Sequence, residues 1–135
     1  MDPTNADALN IYGDMSTMKG QFLKADGIYN DALEAKPSDP KAYINKATLY
    51  MRYSHDNAKA EELLKKAVEK DSCSIEAYLL LIQLYTLQKK NELVHSVISK
   101  ALQFAFSFDD VAEILGYKYA VEESIRCEKY VKDLK

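Results

Sequence analysis

Apolar residues recur at helical spacing through the middle of the chain, between residues 40 and 71. The first half of this stretch carries three of them on one face, Tyr43, Ala47 and Tyr50. The second half repeats the spacing with Ala60, Leu64 and Ala67. Because side chains three or four residues apart share one face of an α-helix, each half predicts an amphipathic helix. The stretch therefore predicts two helices joined by a turn.

The same spacing returns before and after this stretch. Ala32, Ala67 and Ala101 lie 35 and 34 residues apart, and Pro3 and Pro37 lie 34 residues apart. Two helices in a unit of about 34 residues are the pattern of the tetratricopeptide repeat (TPR), which this chain resembles. The resemblance implies an all-α TPR superhelix.

The period sets the expected boundaries. We predict three helix-turn-helix repeats, at about residues 6–39, 40–74 and 75–107, and a C-terminal capping helix at about 108–133. Together they would form a single TPR domain spanning residues 1–135. The capping helix is expected to bury an apolar side formed by Val111, Leu115, Val121 and Ile125.

Three local features refine this outline. Gly13 is a poor helix former, and it suits a position where two helices cross closely. The second repeat has one extra residue in the turn region 53–57, where Asp56 or Asn57 is suited to cap the next helix. Pro3 lies in a segment that resembles the turn ending a TPR. We therefore expect an upstream repeat and interpret the chain as part of a longer protein.

Composition and charge narrow the possible partners. The formal net charge of −3 comes from 18 basic and 21 acidic residues mixed along the chain, so the one-sided basic surface that nucleic acid needs is missing. No apolar run approaches the roughly 18 residues of a membrane helix, and no signal-peptide pattern opens the chain. We expect this segment to contact neither nucleic acid nor membrane. Its oligomeric state cannot be read from the sequence.

Stacked helical hairpins leave a concave face that binds other proteins. In a TPR the second, fifth, sixth and ninth residues of each unit point into this groove. Here they are Asp7, Asn10, Ile11, Asp14, Lys41, Ile44, Asn45, Thr48, Glu76, Leu79, Leu80 and Gln83. Arg52 lies one turn further and completes the predicted groove. Aliphatic side chains between polar ones suit an extended or helical peptide, although these aliphatics could equally pack against the capping helix or an absent repeat.

One known type of TPR ligand can be tested on these positions. TPRs that hold the C-terminal carboxylate of heat-shock chaperones surround it with lysine, arginine and asparagine side chains, because a desolvated carboxylate needs donors and cations. Asn45 matches that pattern. Asp14 and Glu76 stand near the predicted ligand and would repel a carboxylate. We therefore expect no chaperone-tail clamp.

The sequence carries no recognisable catalytic motif. His55 lies in a turn and His95 lies on a helix, and neither predicts a metal site or a triad. Cys73 and Cys127 also lack metal-ligand spacing and fit a reducing compartment. We expect a non-enzymatic protein without a cofactor or a metal.

A narrower resemblance covers residues 42–122 best. Its residues are the insertion in the second repeat, the run Lys66-Ala67-Val68-Glu69 followed by Asp71 and Cys73, the pair Ala77-Tyr78, and the hairpin ending Lys100-Ala101-Leu102-Gln103-Phe104-Ala105 before an acidic helical tail. Together they resemble the C-terminal region of the large TPR import receptors of the mitochondrial outer-membrane translocase. The N-terminal hairpin is generic.

This resemblance implies a receptor on the cytosolic face of the mitochondrial outer membrane. Members of that family are anchored by an N-terminal membrane helix, and their C-terminal TPR cluster binds preproteins with internal targeting signals. The implied partners are mitochondrial preproteins and other translocase subunits. Two alternatives stay open: a TPR scaffold or adaptor of another multiprotein complex, and a regulatory TPR segment of a larger enzyme.

Overall fold

The computed structural model describes residues 5–134, and the turn predicted around Pro3 lies outside them. Within the described residues there are seven α-helices and one π-helical turn, Tyr50–Ser54, and no strand. The helices are α1 (Ala6–Met18), α2 (Phe22–Ala35), α3 (Pro40–Leu49), α4 (Asn57–Lys70), α5 (Ile75–Leu87), α6 (Asn91–Phe104) and α7 (Phe108–Asp133). The predicted order of three hairpins followed by one long helix is therefore found.

The helices fall into two compact units, which divide between Ala77 and Tyr78 at the beginning of α5. The first unit contains α1 to α4, and the second contains most of α5 together with α6 and α7. Each unit is described by itself below. That the two units behave as one domain stays a prediction.

The first hairpin is held by close contact between α1 and α2. Asn5 caps α1 by accepting a hydrogen bond from the Ala8 N–H at 3.2 Å. A cluster of buried residues from α1, α2 and α3 comprises Leu9, Ile28, Ala32 and Ala42. A second buried cluster joins Ala25 and Tyr29 of α2 to Leu49 of α3. Buried residues of α2 therefore pack against both α1 and α3.

Gly13 occupies the closest approach of α1 to α2. A methyl group added at Gly13 would lie 2.8 Å from Cδ1 and 2.9 Å from Cζ of Tyr29, well inside van der Waals contact. The absence of a side chain therefore lets the Tyr29 ring lie directly on α1. This is the close crossing that the sequence predicted at Gly13.

Every hairpin turn contains one residue in the left-handed conformation. These residues are Gly20 (φ 78°), His55 (φ 53°) and Lys89 (φ 58°). They lie 35 and 34 residues apart, so the turn recurs with the repeat. The next residue in each case donates its N–H back to the preceding helix, from Gln21 to Ser16 (2.9 Å), from Asp56 to Tyr50 (3.1 Å) and from Lys90 to Tyr85 (3.0 Å). This is the hydrogen bonding of a helix that ends on a left-handed residue.

The extra residue of the second repeat is accommodated just before its turn. Tyr50–Ser54 is π-helical, and the hydrogen bond of a π-helix spans five residues instead of the four of an α-helix, so it encloses one extra residue. The insertion thus lies slightly upstream of the predicted region 53–57. Downstream of it the turn has its usual form, and Asp56 caps α4 by accepting from the Lys59 N–H at 3.1 Å, as predicted.

A buried lysine links α2 to α3. Lys46 is 8% exposed, and its ammonium group lies 2.6 Å from Asn30 Oδ1 and 3.4 Å from Asp26 Oδ1. Burial, together with the negative charge of Asp26, raises the pKa of the neighbouring Tyr50. Because a buried charge is costly without a partner, Lys46 and Asp26 have to remain paired in the folded state.

In the second unit α7 packs against α6. Ser107 caps α7 by accepting from the Asp110 N–H at 3.0 Å. Ile114 and Val121 of α7 are buried, at 0% and 3% exposure. The prediction that Leu115 and Ile125 belong to the buried side was wrong, since they are 45% and 37% exposed. Residues 114 and 121 are two helical turns apart and lie on one face, from which residue 115 is rotated by about 100°.

The glycines of α1, α2 and α7 give a direct test of this packing. We expect Gly13→Ala to lower the free energy of unfolding by about 1–3 kcal/mol, because the new methyl group overlaps the Tyr29 ring. Gly27→Ala and Gly116→Ala should raise it by about 0.5–1 kcal/mol, since no heavy atom lies within 4 Å of either added methyl group. Urea unfolding of the three variants measures the difference. Equal effects at all three positions would contradict the close contact at Gly13.

Candidate functional site

The predicted groove residues of α1 differ sharply in exposure. Ile11 is 58% exposed and Asp14 is exposed, so both are available to a ligand. Asn10 is completely buried, at 0% exposure. Its assignment as an open groove residue therefore has to be corrected: the Asn10 side chain is part of the protein interior.

Asn10 is buried because it connects α1 to the beginning of α3. Its amide nitrogen donates to Asp39 Oδ2 at 3.2 Å, and its amide oxygen accepts from Asn45 Nδ2 at 3.2 Å. The other oxygen of Asp39 caps α3 by accepting from the Lys41 N–H at 3.0 Å. Three polar side chains thus satisfy one another where the second hairpin begins. Asn45, half-buried, is the outermost of them.

The predicted residues of α3 and the π-helical turn form a second set. Ile44 is 3% exposed, so it too must be corrected from an open groove residue to a buried one. Thr48 is half-buried, and its hydroxyl donates to the Ile44 carbonyl at 3.0 Å. Lys41 and Arg52 are exposed at either end of this set. The accessible part is therefore mainly polar and basic.

Asp14 makes one defined contact inside the first unit. The Tyr29 hydroxyl donates to its Oδ1. Burial, and after it this hydrogen bond to a carboxylate, raises the pKa of Tyr29, so that the hydroxyl stays protonated. The remaining lone pairs of the exposed Asp14 carboxylate are free to accept from donors on a ligand.

The predicted residues of α5 lie on both sides of the boundary between the units. Glu76, in the first unit, is exposed. Leu79, Leu80 and Gln83, in the second unit, are half-buried. The Gln83 side chain donates from Nε2 to the Tyr117 hydroxyl on α7 at 2.9 Å. Leu79 and Leu80 are therefore the partly accessible apolar residues among the predicted groove residues of α5. Gln83 is hydrogen-bonded to α7.

Sequence reasoning missed the exposed apolar residues that follow Ile11 on α1. Met15 is 48% exposed and Met18 is 86% exposed. The residues that correspond to Met15 in the next two repeats, Leu49 and Leu84, are 3% and 0% exposed. Met15, Leu49 and Leu84 are spaced by 34 and 35 residues, and this spacing was a signal that could have identified Met15 as an apolar position of the repeat.

Other kinds of site find little support. Within residues 5–134 no group of three or more histidine, cysteine or acidic side chains is placed to hold a metal ion. In the same part of the chain, no helix combines the length and the apolar character needed to cross a membrane. Both cysteines, Cys73 and Cys127, are exposed thiols.

Sequence comparison finds similarity to mitochondrial import receptor subunits. No protein-family model matches the chain. It is 27% identical over 112 residues to the mitochondrial import receptor subunit TOM70 of Rattus norvegicus. It is 26% identical over 112 residues to the protein of the same name from Homo sapiens. Each match covers 83% of this chain and 18% of the relative, so the chain spans about a fifth of the length of the curated relatives it matches.

Structure comparison confirms the predicted fold. The chain is similar to the crystal structure of yeast Tom70, with a TM-score of 0.78 and 22% identity over 92% of this chain and 27% of that one. It is similar to the TPR2B domain in the pHsp70 complex of yeast Sti1, with a TM-score of 0.76 and 19% identity over 88% and 97% of the two chains. It is also similar to the first TPR of Spaghetti (RPAP3) bound to the HSP90 peptide SRMEEVD, with a TM-score of 0.72 and 22% identity over 90% and 99%. The chain has an all-α TPR fold.

The burial of Asn10 leads to a testable prediction about its role. Asn10→Ala removes the partner of both Asp39 and Asn45, and leaving buried polar groups unsatisfied costs about 1–3 kcal/mol. We expect urea unfolding to show a loss of this size. Asn45→Ala, at the half-buried end of the same network, should cost less. A stability unchanged by Asn10→Ala would contradict a structural role for this residue.

Proposed function

We propose that this chain is a non-enzymatic protein-binding module and forms the C-terminal preprotein-binding part of an import receptor of the mitochondrial outer membrane. It would act on the cytosolic face and recognise preproteins with internal targeting signals. The observation that carries this proposal is the similarity to TOM70 along 83% of the chain.

The accessible side chains are compatible with such a ligand. Ile11 in the first unit and Leu79 and Leu80 in the second offer apolar contacts. Lys41 and Asp14 are exposed and provide charges of both signs in the first unit. A partly apolar segment with dispersed polar groups fits these patches better than a strongly charged one would.

A second function is favoured by a different observation. The TPR structures similar to this chain include Sti1 in a pHsp70 complex and RPAP3 bound to an HSP90 peptide. An adaptor of another multiprotein complex would use the same fold. The two proposals differ in ligand: a chaperone tail ends in a carboxylate, whereas an internal targeting signal does not.

We expect apolar-to-charged substitutions in the predicted groove to weaken binding of a mitochondrial carrier precursor. Ile11→Asp and Leu79→Asp each place a carboxylate where an apolar contact is proposed, and each should lower the affinity by about tenfold or more. Pull-down titration of the full chain with precursor from cell-free translation measures this. Ile44→Asp is unsuitable as a test, because Ile44 is buried.

Leu23→Asp is the matched control for these variants. Leu23 is 92% exposed on α2 and lies outside the predicted groove, so the same change there should leave binding unaltered. The proposed groove would be refuted if Ile11→Asp and Leu79→Asp bound the precursor like the unmodified chain. Equal weakening by Leu23→Asp would point to a general charge effect instead.

We expect the chaperone peptide SRMEEVD not to bind. The exposed carboxylates of Asp14 and Glu76 repel its C-terminal carboxylate. The amide of Asn45, the one residue that matches a chaperone clamp, already donates to Asn10. Isothermal calorimetry should show no saturable heat, with the first TPR of RPAP3 as positive control. Saturable binding of SRMEEVD would favour the adaptor function.

A further inference from the structure

The first half of α7 carries a fourth copy of the pattern seen on the first helix of each hairpin. Leu115, Gly116 and Tyr119 follow Tyr12, Gly13 and Ser16 after 103 residues, which is three repeat periods. The spacing Leu-Gly-x-x-Tyr is that of the first helix of a TPR, the helix that packs against a second one. A capping helix normally has a polar outer face instead.

On α1 this pattern is covered. Gly13 and Ser16 are buried beneath α2, and Tyr12 is half-buried against the cluster of Leu9, Ile28, Ala32 and Ala42. The Tyr29 ring of α2 fills the space that Gly13 leaves open. The first hairpin therefore shows what covers this pattern: a second helix that places an aromatic ring against the glycine.

On α7 the same pattern is uncovered. Leu115 is 45% exposed, Tyr119 is 64% exposed, and no heavy atom lies within 4 Å of a methyl group added at Gly116. The opposite face of α7 holds the buried Ile114 and Val121. Since α7 runs on as one helix to Asp133, no second helix among the described residues returns over Leu115, Gly116 and Tyr119. We call these three residues the α7 notch.

The three hairpins also indicate the size of the side chain that would pack against Gly116. At the position of Gly116 the earlier repeats have Gly13, Ala47 and Ile82, and the corresponding residues of their second helices are Tyr29, Leu64 and Ile98. The smallest residue is thus matched with the bulkiest partner. We therefore expect an aromatic side chain to pack against Gly116 at the α7 notch.

Hydrogen bonding indicates which aromatic residue would fit against Gly116. The Tyr29 hydroxyl has Asp14 as its acceptor, whereas the residue of α7 that corresponds to Asp14 is Tyr117. The Tyr117 hydroxyl already accepts from Gln83. A partner tyrosine would find no carboxylate there, so phenylalanine is the better fit at the α7 notch.

We propose that the α7 notch binds an amphipathic helix of a partner protein. That helix packs antiparallel to the first half of α7 and presents a phenylalanine between two small residues. Its spacing is that of Ala25, Tyr29 and Ala32 on α2, at positions i, i+4 and i+7. A second copy of this chain is not suited as the partner, because its own helix with this face is already packed on α1. The proposal is independent of the groove proposed above.

The probe for this site is a fluorescein-labelled peptide of residues 21–36 that carries the Tyr29→Phe substitution. We expect saturable binding to the full chain in fluorescence anisotropy. Gly116→Ile fills the notch and Leu115→Asp removes an apolar contact, so each should weaken binding by about tenfold. A peptide with Tyr29→Ala should also bind about tenfold more weakly.

Gly27→Ile is the matched control, because Gly27 is likewise helical and has no heavy atom within 4 Å of an added methyl group. It should leave the affinity unchanged. A photoreactive phenylalanine at position 29 of the peptide should crosslink to residues 112–120 of the chain. Absence of saturable binding, insensitivity to Gly116→Ile, or crosslinks to α1 would each overturn the proposal. So would self-association in sedimentation equilibrium that Gly116→Ile abolishes, since it would make a second copy the occupant.

Discussion

The first hairpin depends on the close contact between a residue without a side chain on its first helix and a large ring on its second. Gly13 lies beneath the Tyr29 ring, and no L-residue with a side chain fits there without displacing the ring. The same ring belongs to the buried cluster that includes Leu49 of α3. One aromatic residue thus fixes both the crossing of α1 with α2 and the position of the next hairpin.

Polar contacts complete the connection between the first two hairpins and limit what the surface can do. Asn10, Asp39 and Asn45 form one hydrogen-bonded network, and the buried Lys46 forms an ion pair with the half-buried Asp26. Buried groups of this kind cannot be removed singly without loss of stability. The TPR positions predicted to contact a ligand therefore serve two purposes. Some hold the hairpins together, and the exposed ones, such as Ile11, remain available for binding.

The repeat period was sufficient to predict the order of the helices, and it placed the beginning of the first repeat at residue 6, where α1 begins. It also revealed the insertion, because an extra residue shifts every later position by one, but the structure accommodates it at Tyr50–Ser54, slightly upstream of the predicted region. The burial of Asn10 and Ile44 could not be predicted, since it depends on contacts with residues distant in sequence. The apolar side of α7 was misassigned for a related reason: Val111, Leu115, Val121 and Ile125 are all apolar, and only packing against α6 decides which face is buried.

The central claim is that the fit between Gly13 and the Tyr29 ring determines how α1 packs against α2. A double-mutant cycle tests this claim most directly. Gly13→Ala combined with Tyr29→Leu reproduces the Ala47 and Leu64 pair of the second repeat. The four free energies of unfolding, from urea titrations, should reveal a coupling of about 1 kcal/mol or more, because the smaller side chain relieves the overlap with the new methyl group. Additive effects, with a coupling within about 0.3 kcal/mol of zero, would contradict the account.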